Sequence, residues 1–381
     1  MAESKRILIL AKGFTPTAGG VETYSDEVSW AYRLAGHTVT VLTQTPGKRG
    51  RTTRERDGLC LEVINVGPGP QPVAFALMLL SAIRLRLSRT WDCVHSTTWR
   101  PAVVSHLVFR SPIRILTIHG REILNARPVV GRIMRRVIAG SDLVICVSPS
   151  TLDAALNVLR PSSAKTTWVA SYNGRSHPSE DAAPLSPQVG LSPDLRILSL
   201  CRLVARKNVA NIVRAIAALP ENHRDRVILR IAGAGPETDA IRRTVEDAGL
   251  AGRIELLGYV PASKVPELYR WANVFVHPQS HVGEGNDFEG FGIAVADAMA
   301  YGCAVIAGIS GGPGDFIENG VTGMLVNGDS PEEITLALTQ LLESPRRLSE
   351  LGAAARHFAE SDLTWARHIE PALNLLRSAG E

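Results

Sequence analysis

A chain of 381 residues has the length of two domains and enough apolar residues for two separate cores. With 45% hydrophobic and 20% charged residues, and 33 glycines and 23 prolines dispersed along it, the composition excludes a disordered or collagen-like chain and reads as soluble and globular. Net charge is only +4, yet residues 1–175 hold 23 Lys and Arg against 11 Asp and Glu while residues 176–381 hold 18 against 26, so the halves carry +12 and −8. That asymmetry predicts that the N-terminal half meets something anionic.

The opening run MAESKRILILAKGF is too short for a signal peptide's apolar core and reads as a first β-strand. A helix from about Gly20 follows, then the β-branched runs HTVTVLT, LCLEVINV, DCVHS, IRILTIH, DLVICVS and TTWVAS, separated by helical patterns. This rhythm predicts βα units on a parallel sheet. The uncharged stretch 63–83 contains GPGPQP, which is expected to break any helix long enough to span a bilayer. Residues 176–194 are rich in Pro and Ser without apolar periodicity and read as a linker.

A second series, LRILSLC, VILRIAGAG, IELLGYV, ANVFVHP and CAVIAGI, makes the second domain α/β as well, and from Pro331 only helical runs remain. Two doubly wound domains facing each other would hold a ligand in a cleft between the carboxyl ends of their sheets. The cysteines, Cys60, Cys93, Cys146, Cys201 and Cys303, are odd in number and far apart, which fits neither a disulfide framework nor a zinc pair and points to a reducing compartment.

Chemistry gathers at strand ends. In GFTPTAGGVETY, Gly19 and Gly20 stand where a helix begins, so backbone N–H groups can face an anion; a plain tight turn is the other reading. The loop is not GxGxxG, and no acidic residue closes the second strand, which argues against a nicotinamide site there. His119 ends IRILTI and precedes Gly120, placing an imidazole either at a cleft or in a bond to backbone; His95 is a similar case, ranked below it because Ser-Thr-Thr follows. In LSLCRLVARKNV, Arg202 and Lys207 lie beside a helix start and can clamp a diphosphate, the alternative being a solvated basic turn.

The densest segment runs from His281 through Glu284, Asp287 and Glu289 into Gly290, Phe291, Gly292 and a helix starting near Phe291. Its glycine amides can meet a polar ligand, while Glu289 just before the helix and Asp297 about two turns inside it can accept bonds from hydroxyls. A helix-capping Glu289 and a solvent-facing Asp297 are the alternatives.

With these segments together, the chain resembles a retaining glycosyltransferase of the GT-B fold, glycosyltransferase family 4. The resemblance covers nearly all of the chain through GGVETY with LAGHTVTVLT, TIHG, YNGR, CRLVARKN, AGAGPE, EGFGIAVADAMAYG and GGPGDFIENGVTGMLV. It implies an acceptor-binding Rossmann-like domain over 1–175, a nucleotide-sugar-binding one over 195–362, and a C-terminal helix over 363–381 that packs back toward the first.

The resemblance further implies that Gly19 and Gly20 approach the donor diphosphate and acceptor, and that Arg202 and Lys207 neutralise the phosphates. Glu289 then faces the donor sugar, His119 supports that sugar, and Gly235, Gly290, Phe291 and Gly292 line the donor site. The family's second Glu, which holds the ribose, is here Asp297, one methylene shorter, and GGPGD ends in Asp315 where the family often has Glu.

The implied reaction moves a hexosyl group from a UDP- or GDP-sugar to a small-molecule, glycan or lipid-linked acceptor. No cofactor or metal is expected, since neither Asp-x-Asp nor a His cluster appears. Two other classes compete: a nicotinamide-dependent oxidoreductase using AGAGPE as its glycine turn, which leaves Arg202, Lys207 and EGFG without a role, and a non-catalytic protein bound to an anionic surface. Six Tyr and eight Phe provide no stacking platform for nucleic acid. The basic stretches RTTRER, IRLRLSR and RIMRRV predict peripheral contact of a cytoplasmic protein with an anionic membrane, a solvated helix face being the alternative.

Overall fold

The computed structural model describes residues 3–17, 19–110, 112–124, 128–160, 165–176, 195–282 and 287–379. Glu284 and, apart from Ser176, the expected linker lie outside the described residues. The chain forms two compact units, Met1–Gly174 with Trp365–Glu381, and Arg175–Thr364.

The first unit begins β1 (Arg6–Ala11), α1 (Gly20–Leu34), β2 (Thr38–Thr43), β3 (Gly50–Arg56), β4 (Leu59–Asn65), α2 (Gln71–Ser88) and β5 (Cys93–Ser96). It continues α3 (Trp99–Val108), β6 (Ile113–Ile118), α4 (Arg121–Leu124), α5 (Pro128–Ala139), β7 (Leu143–Cys146), α6 (Pro149–Leu159) and β8 (Thr167–Ala170). The sheet order is β3-β4-β2-β1-β5-β6-β7-β8, parallel except for the antiparallel β3–β4 pair. β1 and β2 are buried in all but their first residue, as strands covered on both faces must be.

The antiparallel edge strand β3 stands outside the expected series. Its residues, GRTTRER, show no apolar alternation because an edge strand is held by backbone bonds and needs little burial. Its arginines are answered locally: Arg51 pairs with Glu62 at 3.1 Å, Arg54 with Asp26 at 3.6 Å and Arg56 with Glu27 at 2.8 Å.

The prolines of GPGPQP do not break a helix. Pro70 caps α2 and Pro72 stands in its first turn, where no backbone N–H is needed, so Gln71–Ser88 runs uninterrupted and is long and apolar enough to cross a membrane. One face, Ala74, Met78, Ala82 and Leu85, is buried at helical spacing, and Met78, Ala82 and Leu85 join Leu8, Leu10 and Leu42 of the sheet in one core.

The second unit runs β9 (Leu195–Leu200), α7 (Val209–Ala217), α8 (Glu221–Arg224), β10 (Val227–Ala232), α9 (Thr238–Asp247), β11 (Ile254–Gly258), α10 (Val265–Trp271) and β12 (Val274–His277). Then come α11 (Ile293–Ala300), β13 (Ala304–Gly308), α12 (Gly312–Phe316), β14 (Met324–Val326), α13 (Pro331–Glu343) and α14 (Pro345–Ser361). Its six strands are all parallel, in the order β11-β10-β9-β12-β13-β14. The three-residue β14 was too short to show an alternating pattern.

Ser330 and Ser344 cap α13 and α14 by accepting the N–H groups of Glu333 and Arg347, each followed by proline in the first turn. The last helix, α15 (Trp365–Ser378), belongs to the first unit and packs on α1.

Candidate functional site

In open α/β sheets ligands bind beyond the carboxyl ends of strands where the winding reverses. In the second unit that place is the β9–β12 pair. After β9 the chain passes Arg202 and a tight 3-10 turn, Ala205–Lys207, before α7; after β12 it continues from His277 into Gln279 and Ser280. The Gln279 side chain locks the neighbouring strand end, donating to the Gly308 and Ser310 carbonyls and accepting from the Gly308 amide.

Four side chains meet there. The buried Lys207 ammonium donates to His277 Nε2 at 2.9 Å and to the Glu289 carboxylate. The Arg206 guanidinium donates to the same Glu289 oxygen and pairs with Asp287 at 3.2 Å. Burial alone would raise the Glu289 carboxyl, but the adjacent Lys207 and Arg206 outweigh it and hold the group ionised well below the usual carboxylate range.

Burial and the adjacent Lys207 push His277 down to about 4, so the ring is neutral at neutral pH. With Nε2 accepting from Lys207 the ring proton sits on Nδ1, which is buried without a hydrogen-bond partner among the described residues. The result is a cation pair drawn onto one carboxylate at a sheet's ligand-binding edge.

Of the expected residues, Lys207 and Glu289 are thus joined directly, while Arg202 is exposed. Gly292 has φ 89°, a left-handed conformation that ends the loop, so α11 starts at Ile293 and Asp297 lies just over one turn inside it rather than about two. Phe291 is buried against Phe316, with ring centroids 5.1 Å apart, beside Gly290. The Gly235 amide donates to Thr238 Oγ1, and a side chain there would strike the Leu203 carbonyl, so this glycine serves close packing of two loops.

Asp297 does not face solvent. It is buried, and its two oxygens accept from the Ser176 amide and the Ser176 hydroxyl, each at 2.6 Å. A ribose hydroxyl reaching this carboxylate would have to share or displace Ser176. Ser176→Ala is therefore expected to lower the donor KM while costing about 1 kcal/mol of stability, and Asp297→Ala to raise the donor KM. Donor titrations and thermal melts check this; an unchanged KM in both variants would remove Asp297 from the donor site.

In the first unit the winding reverses between β1 and β5. The loop after β1 brings Gly13 and Gly19 so close to the Glu22 carboxylate that a side chain on either would collide with it; Gly20, by contrast, opens onto free space. At the end of β6, His119 donates from Nε2 to the Thr97 carbonyl at 2.9 Å, its amide donates to Glu122, and its ring lies edge-on to Tyr24. Burial lowers its pKa, keeping it neutral. His95 is fully interior, between Tyr32 and Thr117.

Sequence reasoning passed over Arg206 and His277, and named Asp287 only as part of the acidic cluster. Arg206 adjoins Lys207 in ARKN, and His277 closes a strand just as His119 does, so the strand-end rule applied to His119 would have found it.

Two family models divide the chain, Glycosyltransferase Family 4 over residues 18–169 and Glycosyl transferases group 1 over 186–358. Sucrose-phosphate synthase from Thermosynechococcus elongatus shares the architecture with a TM-score of 0.76 over 99% of either chain at 20% identity. The two Rossmann-like parallel sheets are those of a GT-B glycosyltransferase. The chain belongs to glycosyltransferase family 4.

Among its relatives is the GDP-mannose-dependent alpha-(1-6)-phosphatidylinositol monomannoside mannosyltransferase of Mycolicibacterium smegmatis, 33% identical over 254 residues and 66% of each chain. Its namesake in Mycobacterium tuberculosis is 28% identical over 373 residues, covering 94% of this chain and 95% of that one.

Proposed function

We propose that the protein moves a mannosyl group from GDP-mannose to a hydroxyl of a lipid-linked inositol mannoside, with retention at the anomeric carbon and without a metal ion. The observation that carries the reading is the Lys207–Glu289 couple at the ligand-binding edge of the second sheet. Similarity over 94% of the chain to a GDP-mannose-dependent mannosyltransferase supports this choice of donor and acceptor.

In this reading Arg202 and Lys207 meet the charge that grows on the leaving diphosphate, and Glu289 faces the sugar. The bond from the anomeric carbon to the phosphate oxygen breaks with its electron pair going to phosphate. The acceptor oxygen bonds the same face of the sugar, and its proton passes to the departing phosphate oxygen. His119, fixed by Thr97 and Glu122, supports the sugar. Five free cysteines support a cytoplasmic setting, with the enzyme working at the membrane's periphery.

Incubating the enzyme with GDP-mannose, UDP-glucose and other nucleotide sugars, with and without EDTA, tests the donor and the metal together. GDP-mannose should be hydrolysed fastest and EDTA should leave the rate unchanged; loss of activity restored by magnesium or manganese would overturn the metal-free reading. Proton NMR of the transferred product reads the anomeric configuration.

A further inference from the structure

In the first sheet the connections β4–α2–β5, β5–α3–β6, β6–α5–β7 and β7–α6–β8 all step toward the β8 edge. Right-handed crossovers stepping one way place their helices on one face, so α2, α3 and α5 form a continuous outer layer, with α3 packed against both neighbours.

That layer has two properties that a solvated helical face lacks. On α2, Val73, Ala76, Leu80, Ile83 and Leu87 follow one another at alternating steps of three and four and make an exposed apolar stripe opposite the buried face, with Leu80 53% and Leu87 81% accessible. Leu107 of α3 and Val129 and Ile133 of α5 extend the exposed apolar surface. Across the same three helices there are six arginines, Arg84, Arg86, Arg100, Arg132, Arg135 and Arg136, all exposed, and not one Asp or Glu.

We propose that the α2–α3–α5 face is a membrane-docking surface that inserts the α2 stripe among the acyl chains of an anionic bilayer while the arginines meet lipid phosphates. Charge complementarity selects this occupant. A second copy of the chain, paired through the α2 stripe, would bring arginines against arginines with no carboxylate on these helices to answer them. The basic stretch of β3 takes no part, because its arginines are already paired with Asp26, Glu27 and Glu62.

Vesicle flotation tests the surface without substrate. The full chain should float with phosphatidylglycerol-containing vesicles about tenfold more than with pure phosphatidylcholine. Part of that binding should survive high salt, because the inserted stripe is not screened. Leu80→Ser with Leu87→Ser should abolish the salt-resistant part, and Arg84→Glu with Arg132→Glu the preference for anionic lipid. Hydrolysis of GDP-mannose in solution, read in parallel, should be unchanged in both variants, which separates docking from the transfer chemistry.

Equal recovery with both lipids, or anionic binding indifferent to both variants, would overturn the proposal. So would light scattering that shows a dimer dissolved by the two serine substitutions, which would assign the stripe to a second copy.

Discussion

Lys207→Ala is expected to lower turnover about a hundredfold while leaving the melting temperature near that of the parent, because in the proposed mechanism it removes the charge that meets the leaving diphosphate yet leaves Glu289 paired with Arg206. Glu289→Ala should behave differently. Turnover should fall comparably, but the buried Lys207 would lose its counter-charge, while Arg206 keeps only Asp287, a loss of about 3–5 kcal/mol where one partner of a buried pair is removed.

Steady-state kinetics at a fixed acceptor concentration, together with thermal melts of both variants, separate these effects. Parental turnover in Lys207→Ala would mean that the diphosphate charge is met elsewhere, and parental turnover in Glu289→Ala that the donor sugar lies in another part of the site. His277 adds a finer test: His277→Leu removes the acceptor that orients Lys207 and should lower turnover less than Lys207→Ala does.

Acid should unfold the first unit well before its surface carboxylates are titrated. His95 is held down to about 3 and His368 to about 4, in both cases chiefly by burial. Their folded values lie below the ordinary histidine value of about 6.5, so the unfolded chain binds more protons between these limits. Their contribution is full above about pH 6.5 and is lost as pH falls toward 4, at about 1.4 kcal/mol per pH unit for each histidine.

The two rings share one network. Tyr24 Oη lies 2.6 Å from Thr117 Oγ1 and 2.8 Å from His368 Nε2, and Thr117 Oγ1 lies 2.8 Å from His95 Nε2. His368 is also the residue through which α15 is tied to the Ser171 and Tyr172 carbonyls, each 3.1 Å from its Nδ1. Amide hydrogen exchange should therefore show α15 opening first as pH drops from 7 to 5, with a parallel fall in melting temperature. A melting temperature independent of pH over that range would show that these histidines titrate as exposed ones do.

Much of the architecture was legible because parallel strands buried on both faces leave an unmistakable record. RILILA, TVTVLT and VILRIA are apolar runs of a strand's length between helical patterns, and they form β1, β2 and β10. What burial does not govern left no such record. The β3 strand is polar and held by its backbone, β14 has three residues, and the prolines before α2 carry the same letters whether they break a helix or begin one.

The sequence by itself determined the α/β class, the strand ends where chemistry gathers, and a family motif set reaching from GGVETY to GGPGDF, since these depend on local composition and order along the chain. Only the tertiary structure decided which cations meet which carboxylate: Arg206 and His277 join Lys207 and Glu289 because strands β9 and β12, far apart in sequence, end side by side. The burial of Asp297 against Ser176, 121 residues away, was likewise beyond any local pattern. So was the sorting of the basic residues into those answered by carboxylates, Arg51, Arg54, Arg56 and Arg89, and those left on an outer helical layer. A side chain's charge is written in the sequence, but its partner and its access to water follow from long-range packing, which no spacing of residues records.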